Sequence, residues 1–336
     1  MFKQFVTAVA VAPCGGVTIA GTAERVVMLP GTEAEAAKVW QPRLLLREQS
    51  AVDESRKRPV LYIHGATFPS ANSVMFKFAG VSWADELNKA GFSVWALDFP
   101  GFGGSQAYPD MANTKPSQGE PLGCAPDAAA QIERAVRAVV AETGAPKVSI
   151  IAHSWGTIAA GLFAGEHPEL VDHLVFFGPI ARREAMKGVP PLGSWRFLTV
   201  EEQRKRFVED VPNGHAPVLA EQDFPAWADL YLKSDPSSGS RNPPSVKTPN
   251  GPVADIMAAW SGSLAYDPFR IKSPVAIIRG EWDSLCTDAD AAWLLKFMTS
   301  STETRDVKIA EGTHLMHLEQ SRGTLYRAAT EFLNQK

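Results

Sequence analysis

Residues 147–161 read KVSIIAHSWGTIAAG. The first part, from Val148 to His153, is an apolar and β-branched run of the kind that forms a strand buried on both faces. After Trp155 the character changes. Gly156, Ala159, Ala160 and Gly161 are small and suit a helix pressed closely against a sheet. A strand that passes directly into such a helix is the repeating joint of an α/β sheet. Ser154 sits at that joint. Either it is an ordinary turn serine, or the turn exists to push one hydroxyl out of the fold.

The same joint recurs on either side. VLYIHG (60–65) ends in Gly and is followed by helical VSWADELNKAG; FSVWALDFPG (92–101) is a second strand ending in Gly. APDAAAQIERAVRAVVAETG (125–144) reads as a helix, with Pro at its start and Gly at its end. After residue 154 come VDHLVFFGP (171–179), SPVAIIRGEWD (273–283), the helix DADAAWLLKFM, the strand TRDVKIAEG and a last helix from about Leu318. Strands alternating with helices over short links predict a mostly parallel twisted sheet with helices on both faces. RVVML and RLLLRE precede the alternation without an intervening helix, so they predict a hairpin or meander within residues 1–50.

The alternation breaks between residues 181 and 265. TVEEQRKRFVEDV and DFPAWADLYLKS are helical there, and no core strand is evident. SDPSSGSRNPPSVKTPNGP is rich in Pro, Ser, Gly and Asn and reads as loop. The expected organisation is a core of residues 1–180 and 266–336, interrupted by a cap or lid insertion at 181–265. Its natural place is over the carboxyl ends of the strands, where open α/β sheets bind ligands.

Composition bounds the function. The chain has 336 residues, 45% apolar and 21% charged, enough for a substantial core. A net charge of −4 gives no electrostatic case for nucleic acid or an anionic membrane as partner. Arg182-Arg183 and the Arg204–Arg206 cluster are short basic runs, read as solvated faces. Three widely spaced cysteines, Cys14, Cys124 and Cys286, fit a reducing, cytoplasmic setting. The N-terminal MFKQFVTAVAVAPCGG reads either as an export signal interrupted early by Pro13, Gly15 and Gly16, or as strands around a Cys-Gly-Gly turn. No apolar run approaches the roughly 18 residues of a membrane span. Oligomeric state is left open.

Three polar residues fall just past strand ends, in the order Ser154, Asp283, His314. A serine hydroxyl attacks well only when a base removes its proton. Imidazole can do so, and a carboxylate fixes its tautomer and stabilises the imidazolium. The oxyanion formed on attack needs donors. The Trp155 N–H, at a helix start, is one candidate. The loop after VLYIHG offers Ala66 as the second, with Thr67 behind it. Asp283 reads as the acid or, with Asp288 and Asp290 nearby, as a surface cap, and His317 competes with His314. The two histidines lack a third ligand at useful spacing, so neither metal nor other cofactor is expected. His64 and His153 read as turn-supporting. Asp98 with Gly101–Gly104 reads as a Gly-shaped turn, not a phosphate loop. Thr67, Phe68, Trp195, Trp227 and Trp260 are candidates for the wall of a substrate pocket, or for simple packing.

These segments resemble the α/β-hydrolase superfamily, in its capped, serine-esterase-like branch. Its nucleophile elbow is small-x-nucleophile-x-small, matched by Ala152-His153-Ser154-Trp155-Gly156, with Ala in place of the usual first Gly. HGATFPS resembles the family's oxyanion loop, DFPGFGGS its Asp-x-x-Gly-x-Gly-x-Ser turn, and RGEWD and GTHLMHLE its acid and histidine segments. The resemblance covers about residues 58–180 and 270–334. It implies a serine hydrolase with Ser154 as nucleophile, His314 as base, Asp283 orienting it, and Ala66 and Trp155 holding the oxyanion. The expected substrate is a small to medium, partly apolar carboxylic ester. Alternatives on the same machinery are carbon–carbon hydrolysis of ring-fission diketones, or a proline-type aminopeptidase using Glu201, Glu202, Glu209 or Asp210 for the amine. A substrate carboxylate would draw on Arg182 or Arg183. From another class, the chain reads as a non-catalytic small-molecule-binding relative.

Overall fold

The computed structural model describes residues 8–9, 22–31, 40–51, 58–187 and 190–335. Seven strands come first: β1 (Ala8–Val9), β2 (Thr22–Leu29), β3 (Leu44–Ala51), β4 (Pro59–Ile63), β5 (Ser93–Asp98), β6 (Val148–His153) and β7 (Val171–Phe177). Two more, β8 (Trp195–Thr199) and β9 (Ser245–Pro249), pair only with each other. β10 (Val275–Gly280) and β11 (Thr304–Ile309) close the series. The main sheet runs β1-β2-β3-β5-β4-β6-β7-β10-β11. β1, β2 and β3 are antiparallel to their neighbours, as the two helix-free segments predicted. Every pairing from β5 to β11 is parallel. Most of the N-terminal stretch read as an export signal or as strands lies outside the described residues.

The helices are α1 (Trp83–Lys89), α2 (Ala125–Thr143), α3 (Gly156–Glu166), α4 (Val200–Val208), α5 (Phe224–Lys233), α6 (Gly251–Trp260), α7 (Asp288–Phe297) and α8 (Arg322–Leu333). Alternation along the strands sorts side chains between the two faces. Ile63, Leu97, Ile150, Ala152, Phe176 and Ile277 face α2, α3 and α7. Tyr62, Ala96, Ile151, Phe177 and Ile278 face α1 and α8. Because β4, β6, β7 and β10 are covered on both sides, their apolar runs are continuous. Among the described residues no helix is long and apolar enough to cross a membrane.

Between β7 and β10, residues 181–265 contribute no strand to the main sheet among those described. The stretch read as pure loop is corrected here. Its residues Ser245–Pro249 form β9, antiparallel to β8 from Trp195↔Pro249 to Thr199↔Ser245. β-branched Val246 and Thr248 supply the extended preference; the partner strand lies some 50 residues upstream, beyond local pattern. α6 follows at once, opened by Asn250 with Gly251-Pro252 in its first turn. A Pro in that turn lacks only an N–H that would have been unpaired anyway. Ala259 of α6 is buried in the main core, which ties the end of the segment to the sheet.

Candidate active site

β6 delivers Ser154 at its carboxyl end, and α3 begins two residues later. The turn is tight enough to place Ser154 at φ +56°, a left-handed conformation that costs a non-glycine residue of order 1–3 kcal/mol. It is held by the Ser154 N–H donating to Phe177 O at 2.9 Å, and by Thr157, whose N–H and hydroxyl both donate to Ser154 O. Gly156 is required by proximity: a Cβ there would lie 2.5 Å from the His64 carbonyl oxygen. Ala152, in place of a glycine, is fully buried in the core of β6.

His314 follows β11. Its Nε2 is 2.8 Å from Ser154 Oγ, and its Nδ1 is 3.0 Å from both oxygens of Asp283, which follows β10. Asp283 Oδ1 also accepts from the N–H groups of Leu285 and Cys286, each at 2.9 Å. These bonds aim the carboxylate. With Nδ1–H donated to Asp283, Nε2 is free to accept from the serine hydroxyl. All three side chains are buried. The nearby acids are engaged elsewhere. Asp290 caps α7 and binds Arg183, while Asp288 binds Arg279 and Lys308.

His317, the competing histidine, is a different object. Its ring is buried against Phe68, His153 and Phe177, with neither nitrogen hydrogen-bonded among the described residues. Burial, with the nearby His314, pushes its pKa down to about 3. His153 lies next to it, its Nε2 3.0 Å from His314 O, and burial likewise holds it well below the ordinary histidine value. His64 accepts from the Phe99 N–H at 3.1 Å and so ties the β4 and β5 ends together. Asp98 shapes the next turn by accepting from Ser70 and Gly104.

The loop after β4 runs beside the serine: a Cβ on Gly65 would be 3.2 Å from Ser154 Cβ. Among the described residues, no acceptor is bonded to the backbone N–H of Ala66 or of Trp155. The Trp155 indole is locked away from them. Its Nε1–H donates at 2.7 Å to Asp255 of α6, which also accepts from the Ala125 N–H opening α2. Burial pushes the Asp255 carboxyl up to about 6, against the pull of those two donors.

Of the expected pocket residues, Thr67 and Phe68 lie at the site, packed against the intervening segment. Thr67 O accepts from Gln203 and its hydroxyl accepts from Arg206, both on α4. Phe68 meets Trp227 edge to face at 5.3 Å. Trp227 belongs to an aromatic cluster with Phe207, Phe224 and Tyr231, its indole bonded to Asn72 O. Trp195 is corrected: it is fully buried in a separate small cluster with Tyr108 and Met111, bonded to Asp110 O. Trp260 packs against the main core with the Arg183 guanidinium over its ring. Arg182 and Arg183 are also corrected as ligands for a substrate carboxylate. Arg182 binds Glu184 and Gly262 O, and Arg183 chelates Asp290. Glu202 caps its own helix, and Glu201 and Glu209 face solvent.

Three neighbours of the site escaped sequence reading. Gly178, at φ +53°, follows β7, and a Cβ there would lie 3.0 Å from His314 Nδ1 and 3.1 Å from Asp283 Oδ2. Its place within FFGP (176–179), at a strand's carboxyl end, is a signal that was there to read. Glu319 is buried under the His314 loop and accepts from the Thr313 hydroxyl; burial pushes it up to about 7. Asp255 carries no local signal, since its partner Trp155 is 100 residues away. Among the described residues no group of three or more His, Cys, Asp or Glu is placed to hold a metal ion.

A family model described as the alpha/beta hydrolase fold matches residues 58–321. No curated protein matches the chain. Similar solved structures include a thermophilic esterase from Thermogutta terrifontis, at 18% identity and TM-score 0.55, covering 89% of this chain and 95% of that one. The monoacylglycerol lipase of Paleococcus ferrophilus is 17% identical, with TM-score 0.56 and coverage of 86% and 98%. The 2-hydroxy-6-oxo-6-phenylhexa-2,4-dienoate hydrolase of Rhodococcus sp. strain RHA1 is 16% identical, with TM-score 0.56 and coverage of 88% and 95%. At such identities the likeness speaks for the fold alone. The family match spans well over half of the chain, on a mostly parallel sheet whose strand ends carry Ser154, Asp283 and His314: the chain belongs to the α/β-hydrolase fold family.

Proposed function

We propose that this chain is a serine hydrolase of carboxylic esters, working through an acyl-enzyme. The observation that carries the reading is the hydrogen-bonded series Ser154 Oγ, His314 Nε2, His314 Nδ1, Asp283, at 2.8 and 3.0 Å. In this reading Ser154 Oγ attacks the ester carbonyl carbon while His314 Nε2 takes the hydroxyl proton. Asp283 stabilises the imidazolium. The Ala66 and Trp155 N–H groups face the oxyanion. His314 then protonates the leaving alcohol and the C–O bond breaks. Water, deprotonated by the same imidazole, attacks the acyl carbon and releases the acid and Ser154. No cofactor takes part in the scheme.

Residues 181–265 act as the cap in this reading. The burial of Ser154 and His314 supports an enclosed site for a small to medium, partly apolar ester. Because the base must be neutral, acylation falls as acid protonates the imidazole. The test is release of 4-nitrophenolate from 4-nitrophenyl acetate and butyrate. Turnover that survives Ser154→Ala would overturn the mechanism. A diketone cleaved faster than any ester would overturn the substrate class. Binding of such esters without turnover would make the chain a non-catalytic relative.

A further inference from the structure

Two arginines of the intervening segment are bonded to no acid among the described residues, and one of them, Arg206, reaches the loop that runs beside Ser154. Arg206, on α4, donates to the Thr67 hydroxyl at 2.6 Å and to Gln203 Oε1 at 3.2 Å. Arg196, on β8, donates to Asn250 Oδ1 at 2.6 Å and to Pro249 O at 3.5 Å. All four acceptors are neutral. Among the described residues no carboxylate lies within 4.0 Å of either guanidinium. Glu202 is turned back onto Thr199, Glu209 is exposed, and Asp210 accepts from the Ser284 N–H at 3.4 Å. The other arginines of the segment that flank them, Arg204 and Arg241, each have an acid, Glu221 and Asp235.

Both guanidiniums are half-buried, and an unpaired cation partly withdrawn from water is costly unless an anion meets it. Burial is the main influence on both guanidiniums and lowers both pKa values, that of Arg196 to about 10. The charge of Arg206 adds to the lowering at Arg196 and Glu202 opposes it, while Glu209 and Asp210, neither bonded to Arg206, oppose the lowering there. Tyr231, whose hydroxyl donates to Leu198 O, lies within reach of both charges. Arg206 grips Thr67, the residue after Ala66, and its charge is also felt by His153, next to Ser154.

We propose that Arg206 is the subsite for a carboxylate carried by the substrate, so that the preferred ester is a half-ester of a dicarboxylic acid or the ester of a carboxylated alcohol. This rests on the serine-hydrolase reading above. A guanidinium presents a planar fork that matches a carboxylate, and the neutral contacts to Thr67 and Gln203 hold the fork in place without cancelling its charge. The bound anion would neutralise Arg206 and relieve its repulsion with Arg196.

The test compares mono-4-nitrophenyl glutarate, which is anionic, with neutral 4-nitrophenyl valerate. The expected result is a higher kcat/KM for the glutarate. In Arg206→Met, which keeps the aliphatic stem, the glutarate-to-valerate ratio is expected to fall about tenfold or more. Arg206→Lys should restore part of it. Calorimetry of monomethyl glutarate with Ser154→Ala protein gives a readout free of turnover, and adding Arg206→Met should weaken that binding about tenfold. A preference for valerate, an unchanged ratio in a variant that melts normally, or tighter binding of methyl phosphate than of monomethyl glutarate would overturn the proposal. Should the Met variant melt early, Arg206→Gln replaces it. Binding lost with Arg206 but with no ester turned over would sink the serine mechanism and leave the subsite standing.

Discussion

On the sheet side of the site, Ser154, His314 and Asp283 each have a partner of complementary character. Asp283 accepts from two backbone N–H groups and from His314, and His314 meets Ser154. On the insertion side, Arg206 and Arg196 touch only neutral acceptors. The two sides also differ in how they are held. Ser154, Asp283 and His314 hang from parallel strands of one hydrogen-bonded sheet, with β6 bound to β7 and β7 to β10. Arg206 and Arg196 hang from a helix and a two-stranded ribbon packed on the core through aromatic side chains. Internally balanced charge suits a constant reaction. Charge left unbalanced suits the choice of what reacts.

Under the proposed mechanism, the sharpest way to break this contrast is on the sheet side. Ser154→Ala or His314→Ala should lower esterase kcat by about 10³- to 10⁶-fold with little change in melting temperature. A retained rate would mean that the aligned groups are structural. Asp283→Asn should fall in the same range, because it disturbs the histidine tautomer.

Gly178→Ala comes next. Its Cβ would press on both His314 and Asp283, and the positive φ resists a side chain. The expected loss is about 10- to 100-fold in kcat, with destabilisation of about 1–2 kcal/mol. A variant with normal kcat would show that the His314–Asp283 pair tolerates displacement.

Asp255 joins the two sides, and its expected effect is on stability. Its folded pKa, about 6, lies above the ordinary carboxyl value. The stabilisation linked to its proton is therefore full below about pH 4 and is lost as pH rises through about 6. Wild type should lose about 1–2 kcal/mol relative to Asp255→Asn between about pH 4 and pH 7.5, after allowance for partial exposure. Glu319 titrates in both proteins and cancels. Asp127 on α2 and Cys124 just before it are the other titratable groups close by, and both remain. Denaturant unfolding across that range measures the gap. A constant gap would detach Asp255 from any titration.

The smallest effect is expected at His317→Phe. With neither nitrogen bonded and the ring already stacked on Phe68, an apolar ring of similar shape should leave kcat within about threefold. Loss of activity here with retention in His314→Phe would exchange the two histidines in the mechanism.

The segments that could be read from the chain are those whose meaning is local. The continuous apolar runs of β4, β6, β7 and β10 mark strands covered on both faces. Small residues after Ser154 mark a helix allowed close to the sheet. Because a parallel sheet brings its carboxyl ends to one edge, the order Ser154, Asp283, His314 was enough to predict that they meet. Trp195 and Trp227 could not be placed the same way. An aromatic in an insertion packs equally well in a small cluster or around a substrate, and neighbours distant in the chain decide which. The pairing of Arg183 has no local signal, because Asp290 lies over a hundred residues on. Val246 and Thr248 looked like loop because their ladder is with Trp195–Thr199.

By itself, then, the amino-acid order determined the sheet, its helices and the residues at its strand ends, since hydrophobic period and turn chemistry act over a few residues. Only the tertiary structure decided which charges are balanced. Pairing depends on what comes within about 4 Å in space, and for Arg206, Arg183 and Asp255 those neighbours lie on other elements. That is why the meeting of Ser154, Asp283 and His314 was legible in the chain, while the subsite proposed at Arg206 depends on α4 and the Thr67 loop coming together.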